Sequence, residues 1–196
     1  DETLFEKALY NAAIDYTKAG LLLPAVETQE RFLRRFPKSK YRESMVLQVA
    51  KTYETLANFD KSGRYFEEFA NLYPNHPQAK NALRLAGTYL AGSGQADRAE
   101  QIFARFLRAY PGDAKLVERD LLSLYESQNA TEKTFRYYLN ARAARGVAFS
   151  EYLSYTMAAA EVAAAKSGHL PPALMDEARK VAEKYGDQIR KSPKGV

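Results

Sequence analysis

Residues 83–111 read LRLAGTYLAGSGQADRAEQIFARFLRAYP, and this stretch decides the fold. Leu83, Ala86, Gly87 and Leu90 recur at steps of three and four, which places them on one face of an α-helix. Gly92-Ser93-Gly94 then reverses the chain, and Ala99, Phe103 and Phe106 mark the apolar face of a second helix. Pro111 ends that helix, because its ring cannot continue a helix interior and it drives the preceding residue out of the α region. The stretch is an antiparallel helical hairpin.

The same hairpin is written twice more upstream. Pro37, Pro74 and Pro111 lie 37 residues apart, each behind an aromatic residue: Phe36, Tyr73 and Tyr110. At matching offsets the first unit carries Leu9, Ala12, Ala13, Tyr16 and Ala25, and the second carries Val46, Val49, Ala50, Tyr53 and Ser62. Phe32, Phe69 and Phe106 repeat with the same period, as do Leu33, Ala70 and Leu107. Asp60 is expected to cap the second helix of unit two. Ala13, Ala50 and Gly87 fall where paired backbones approach closely, so a bulky residue there would overpack the contact. A period of this size marks a repeat array, in which each unit buries its apolar face against its neighbours.

The pattern of an apolar residue, an apolar and a small residue three and four positions on, a tyrosine, then Ala, Phe and Pro resembles the tetratricopeptide repeat. The resemblance covers about residues 1–111. It departs in its first anchor, which is Leu or Val where the family often has Trp, and in Gln29, which stands in place of the aromatic in unit one. Each unit is also about three residues longer than the usual 34. The extra residues follow the proline, a variant that is similar to the bacterial envelope branch of the family, with its Tol-Pal coordinator and outer-membrane assembly lipoprotein.

That resemblance implies an all-α right-handed superhelix of about ten antiparallel helices, with repeats over about 1–37, 38–74 and 75–111. Degenerate hairpins over about 112–146 and 147–190 and a frayed tail over 191–196 complete the expected single domain. Beyond Pro111 the 37-residue offsets fall on Asp120 and Ser123, yet Leu116, Val117, Leu121, Leu124 and Tyr125 keep a helical pattern. Tyr152, Tyr155, Ala159 and Val162, then Leu174, Ala178, Val181, Ala182 and Tyr185, suggest the last hairpin.

In such a superhelix the first helix of each pair lines a concave groove, and by register Lys7, Tyr10, Ile14, Leu47, Lys51, Asn81 and Arg84 face it. The implied activity is recognition of a peptide or helix of a protein partner, with Tyr10, Ile14 and Leu47 as exposed contact area and Lys51 and Arg84 pairing with carboxylates. The implied place is the periplasm or cell envelope of a bacterium, the alternative being the cytoplasm. A structural segment of a longer repeat protein is the other architectural possibility.

The chain of 196 residues carries a formal charge of +5 with 29 basic and 24 acidic side chains. Its strongest run of one sign is Arg31, Arg34, Arg35, Lys38, Lys40 and Arg42. That basic patch admits a second function, contact with nucleic acid or anionic lipid. Single-strand recognition also needs stacking aromatics, and Phe32 repeats as a core position, so it is committed to packing. There is no cysteine, which excludes disulfides and thiolate metal sites. His76 and His169 both fall in expected loops, and Gly92-Ser93-Gly94 lacks the residues of a nucleophile elbow or a phosphate loop. The sequence therefore reads as non-enzymatic, with no catalytic, cofactor or metal site. The apolar run Met157–Ala165 is interrupted by Glu161 and falls far short of the roughly 20 residues a membrane-spanning helix needs.

Overall fold

The structure, a computed structural model, describes residues 1–130, 132–134, 136, 137, 176 and 180. The expected last hairpin, with Tyr152 to Tyr185, lies outside the described residues, as does the tail over 191–196. Among the described residues all regular structure is helical: α1 (Glu2–Lys18), α2 (Leu22–Arg35), α3 (Arg42–Thr55), α4 (Phe59–Leu72), α5 (Ala79–Gly92), α6 (Ala96–Ala109), a 3₁₀ turn (Pro111–Asp113) and α7 (Lys115–Ser127). The chain divides into two compact units, Asp1–Leu121 and Leu122–Val196. In the first unit consecutive helices from α1 to α6 pack on one another, as stacked hairpins must.

The turn inside each hairpin has one geometry. Gly20, Ala57 and Gly94 all take positive φ, at 72°, 55° and 82°, and they lie 37 residues apart. Around each of them the helix closes with the same pair of bonds. Leu21 N–H reaches Tyr16 C=O at 3.0 Å, Asn58 reaches Tyr53 at 2.9 Å, and Gln95 reaches Leu90 at 2.9 Å, while the positive-φ residue itself donates three residues back. This is the Schellman closure, which satisfies carbonyls that the helix end leaves orphaned. Glycine suits it because a Cβ crowds the following carbonyl in the left-handed region. Ala57 bears that crowding, so Ala57→Gly is expected to raise stability by about 1 kcal/mol. The urea-unfolding midpoint reads it, and a midpoint that stays or falls would refute the strained turn.

Asp60 is not the cap of α4. Asn58 is, its Oδ1 accepting from Lys61 N–H at 3.1 Å, while Asp60 lies inside the first turn and pairs with Arg64 at 3.0 Å. The Schellman turn places the chain two residues earlier than a simple cap reading assumes. At the other end, Phe36, Tyr73 and Tyr110 each donate their N–H to the carbonyl of Phe32, Phe69 or Phe106, and each packs its ring at a tilt against that same phenylalanine with centroids 5.1–5.5 Å apart. The aromatic residue before each proline thus seals the apolar base of its own helix.

The core is continuous through the three hairpins. Phe32, Phe66, Phe69, Phe103 and Phe106 are buried with Met45, Val46, Val49, Leu83 and Leu90 around them. Ala13, Ala50 and Gly87 are all buried, and Ser62 Oγ donates to Ala50 C=O at 3.0 Å across the second hairpin. Gln29 is fully buried where later repeats have Phe66 and Phe103; its Nε2 donates to Thr17 Oγ1 at 2.9 Å.

The fourth unit is less degenerate than its offsets suggest. Ala114, Val117, Leu121 and Tyr125 are buried as Ala79, Ala82, Ala86 and Leu90 are, each 35 residues later. Asn129, at φ 52°, stands 35 residues after Gly94, and Ala130 N–H closes on Tyr125 C=O at 2.8 Å. Two residues are missing between the proline and the next helix: Pro74 precedes Ala79 by five positions, Pro111 precedes Ala114 by three. Asp120 and Ser123 are polar because they stand two places out of register, with Asp120 accepting from Thr88 of α5.

Candidate functional site

The first helices α1, α3 and α5 carry the candidate residues in aligned rows. Lys7, Ser44 and Asn81 form one row, Tyr10, Leu47 and Arg84 the next, and Ile14, Lys51 and Thr88 the third, each step being 37 residues. Lys7, Lys51 and Asn81 are exposed, while Ile14, Leu47 and Arg84 are half-buried. Among the described residues neither lysine has an ion-pair partner. Arg84 Nη2 donates to Asn81 Oδ1 at 3.1 Å, which holds the guanidinium along its own helix. Glu54, also on α3, accepts from the Tyr89 hydroxyl of α5, and burial followed by this bond pushes the Tyr89 phenol up to about 12. The face is mixed in character, with two unpaired cations, one engaged carboxylate and short apolar side chains.

Tyr10 is not an exposed contact residue. Its ring stacks on Tyr41 with centroids 4.4 Å apart and lies 5.9 Å from Phe32, so it joins α1 to the start of α3. Periodicity within α1 could not show this, because Tyr41 comes from the loop that precedes α3. Ile14 and Leu47 are likewise half-buried where exposure was expected.

The six cations of the basic run are spread over several contacts. Arg31 sits over the Phe5 ring at 5.7 Å and Lys40 over the Tyr41 ring at 5.0 Å. Arg34 pairs with Glu30 at 3.7 Å, Arg35 with Glu2 at 3.1 Å, and Arg42 with Glu68 at 2.8 Å while also donating to Leu33 C=O. Lys38 has no partner among the described residues. Glu2 and Glu30 thus interleave negative charge with the run, which reduces the field a phosphate would meet.

The second helices carry a set of clamps between repeats. Glu30 of α2 accepts from Tyr53 at 2.7 Å and from Tyr65 at 3.1 Å, with Lys61 at 4.0 Å. Burial first, then the Glu30 charge, holds the Tyr65 phenol well above its ordinary range. One period later Glu67 pairs with Arg98 at 2.7 Å. Glu30 with Glu67 and Lys61 with Arg98 each repeat at 37 residues, and that pairing was open to a reader who searched the polar positions for the period as well as the apolar ones. His76 closes a further contact: its Nε2 lies 3.5 Å from Glu43, its Nδ1 accepts from Gln78 N–H, and its ring meets Phe69 edge-on. His76 is thus a loop-fastening residue. No group of three metal-ligating side chains forms among the described residues, and none of their helices is long and apolar enough to cross a membrane.

Stacked hairpins with Schellman turns, aromatic-proline ends and polar clamps between repeats define a tetratricopeptide-like solenoid. The chain belongs to the YfiO family of outer membrane lipoproteins, whose model matches residues 3–183. It is similar to the crystal structure of the MamA protein, with 15% identity and a TM-score of 0.52 over 97% of each chain. It is also similar to the MamA RS-1 ArsTM double mutant, with 17% identity and a TM-score of 0.50 over 93% of this chain and 97% of that one. At those identities the likeness concerns the fold. No curated protein matches the chain. A fold of this kind in this family is a protein-interaction scaffold.

Proposed function

We propose that the protein is a non-enzymatic scaffold of the bacterial cell envelope that binds an extended segment or helix of a partner across α1, α3 and α5. The observation that supports this reading most is the alignment of Lys7, Leu47, Lys51, Asn81 and Arg84 in rows over the first helices of three repeats, with both lysines exposed and without an ion-pair partner among the described residues. Lys51 and Arg84 supply carboxylate recognition, Arg84 by its planar fork and Lys51 as a point charge. Ile14 and Leu47 supply apolar contact, and Tyr10 holds α1 against α3 so that the rows stay aligned. Membership of an outer membrane lipoprotein family supports the envelope as the place.

Lys51→Glu with Arg84→Glu tests the reading. A partner crosslinked to the wild-type chain in an envelope extract is expected to bind the double variant about 10- to 100-fold more weakly by titration calorimetry. Binding at wild-type affinity would remove this face as the site. Affinity that instead collapses with added salt and with Lys38→Glu alone would favour a phosphate-bearing partner on the basic run.

A further inference from the structure

The rows of the first helices do not end at α5. Asn81 and Arg84 recur 35 residues later as Leu116 and Arg119 on α7, and both lie in the same compact unit as α1 to α6. Polar bonds join α7 to α5 as they join α5 to α3. Thr88 of α5 donates its hydroxyl to Asp120 of α7, and Tyr89 of α5 donates its own to Glu54 of α3. Ala114, Val117 and Leu121 are buried on the core side of α7. Leu116, 51% exposed, and the exposed Arg119 are therefore turned away from the core, as Asn81 and Arg84 are on α5.

Free charge on this surface has one sign. The carboxylates Glu54 and Asp120 are engaged in the bonds between helices. Lys51 and Arg119 have no ion-pair partner among the described residues, and Arg84 donates to the neutral amide of Asn81. Apolar side chains stand among the cations: Leu47 and Leu85 are half-buried and Leu116 is exposed. The tyrosines of the face, Tyr10 and Tyr89, are stacked on Tyr41 and Phe59, so neither offers a free ring to a nucleic-acid base. Residues 131–196 of this chain carry 11 basic against 7 acidic side chains, a balance of the same sign as the face. Charge complementarity points away from that stretch and towards an acidic occupant with apolar side chains of its own.

We propose that Leu116 and Arg119 extend the partner face onto α7, and that its occupant is an acidic segment of a partner protein. Its carboxylates meet Lys51, Arg84 and Arg119, and its apolar side chains meet Leu47, Leu85 and Leu116. Arg84 and Arg119 grip a carboxylate by two parallel N–H donors, whereas Lys51 acts as a point charge. This proposal rests on the reading of the first helices as the partner face, and adds to it a fourth helix and the sign of the occupant.

The experiment uses the full chain and three fluorescein-labelled peptides of about 15 residues, built from repeats of Glu-Ala-Leu, Lys-Ala-Leu or Glu-Ala-Ala. By anisotropy the Glu-Ala-Leu peptide is expected to bind saturably. The other two should bind at least about tenfold more weakly, one for its charge and one for its missing leucines. Arg119→Glu and Leu116→Ser, both at exposed positions and so compatible with folding, should each weaken the Glu-Ala-Leu peptide roughly three- to tenfold. No saturable binding would overturn the proposal, as would equal binding of the Lys-Ala-Leu peptide or an affinity that neither variant changes. An oligothymidylate that binds more tightly than the peptide, and loses that affinity with Arg119→Glu, would give the face to nucleic acid and overturn it too. So would self-association of the chain that Leu116→Ser abolishes. The partner crosslinked in an envelope extract separates this proposal from the reading it rests on. Binding lost with Lys51→Glu and Arg84→Glu but kept with Arg119→Glu and Leu116→Ser would overturn the extension onto α7 alone, whereas binding kept by all of them would remove the whole face.

Discussion

Gly87→Leu is expected to lower the unfolding free energy of the first unit by about 3 kcal/mol, at the upper end of what overpacking a well-filled core costs. A Cβ built on Gly87 lies 2.5 Å from Phe103 Cε1, 2.8 Å from Cδ1 and 3.0 Å from Cζ. Phe103 is fully buried, so its ring has no open space to swing into. Two effects compete at this position. Removing glycine from a helix interior gains about 1 kcal/mol of helix propensity, whereas the clash with the ring opposes it. For alanine the Cβ clash already outweighs that gain, and a loss of about 1 kcal/mol should follow. For leucine the extra atoms drive α5 away from α6, and the clash wins. A thermal melt should fall by roughly 10 °C for leucine. Phe103→Ala alone is expected to cost about 3–5 kcal/mol through the cavity it leaves. Together the two changes should cost clearly less than their sum, because the leucine fills part of that cavity. Strict additivity would mean that Gly87 and Phe103 do not share one packing space.

Much of this architecture was legible because its cause is periodic. Phe32, Phe69 and Phe106 are buried for the same reason in each repeat, so one register locates them all. What the period concealed has a physical reason in each case. The hairpin turn repeats as Gly20, Ala57 and Gly94, but a search for glycine passes over Ala57, which tolerates the left-handed region at a cost. The fourth repeat was hidden by two residues lost between Pro111 and Ala114, a place where the chain forms a loop and length is free to vary. Helix α7 kept its buried face all the same, with Val117 and Leu121 where the core needs them. Among the candidate binding residues, helical periodicity gave the rows but not the exposure. Tyr10 is turned to packing by Tyr41, whose position depends on a loop and not on a helix face.

Glu30→Ala is expected to destabilise the array by about 2 kcal/mol and to do so unevenly. Glu30 accepts two phenol hydroxyls, from Tyr53 on α3 and Tyr65 on α4, and such bonds to a charged group contribute about 1.5–3 kcal/mol each before non-additivity. Its ion pairs matter less. Lys61 at 4.0 Å and Arg34 at 3.7 Å are half-exposed or more, where pairs contribute about 0–1 kcal/mol. Removing the carboxylate leaves Tyr53 and Tyr65 stacked on each other, with centroids 5.9 Å apart, and short of an acceptor in a partly buried place. Glu30→Gln keeps an acceptor and should cost about half as much. In a repeat array, stability is close to a sum of unit terms and nearest-neighbour interfaces, so a loss at the interface of repeats one and two falls mainly on those repeats. Amide hydrogen exchange should therefore speed up in α1 and α2 well before it does in α5 and α6. Equal loss of protection across all six helices would show that the unit unfolds as one body and that Glu30 is no local clamp.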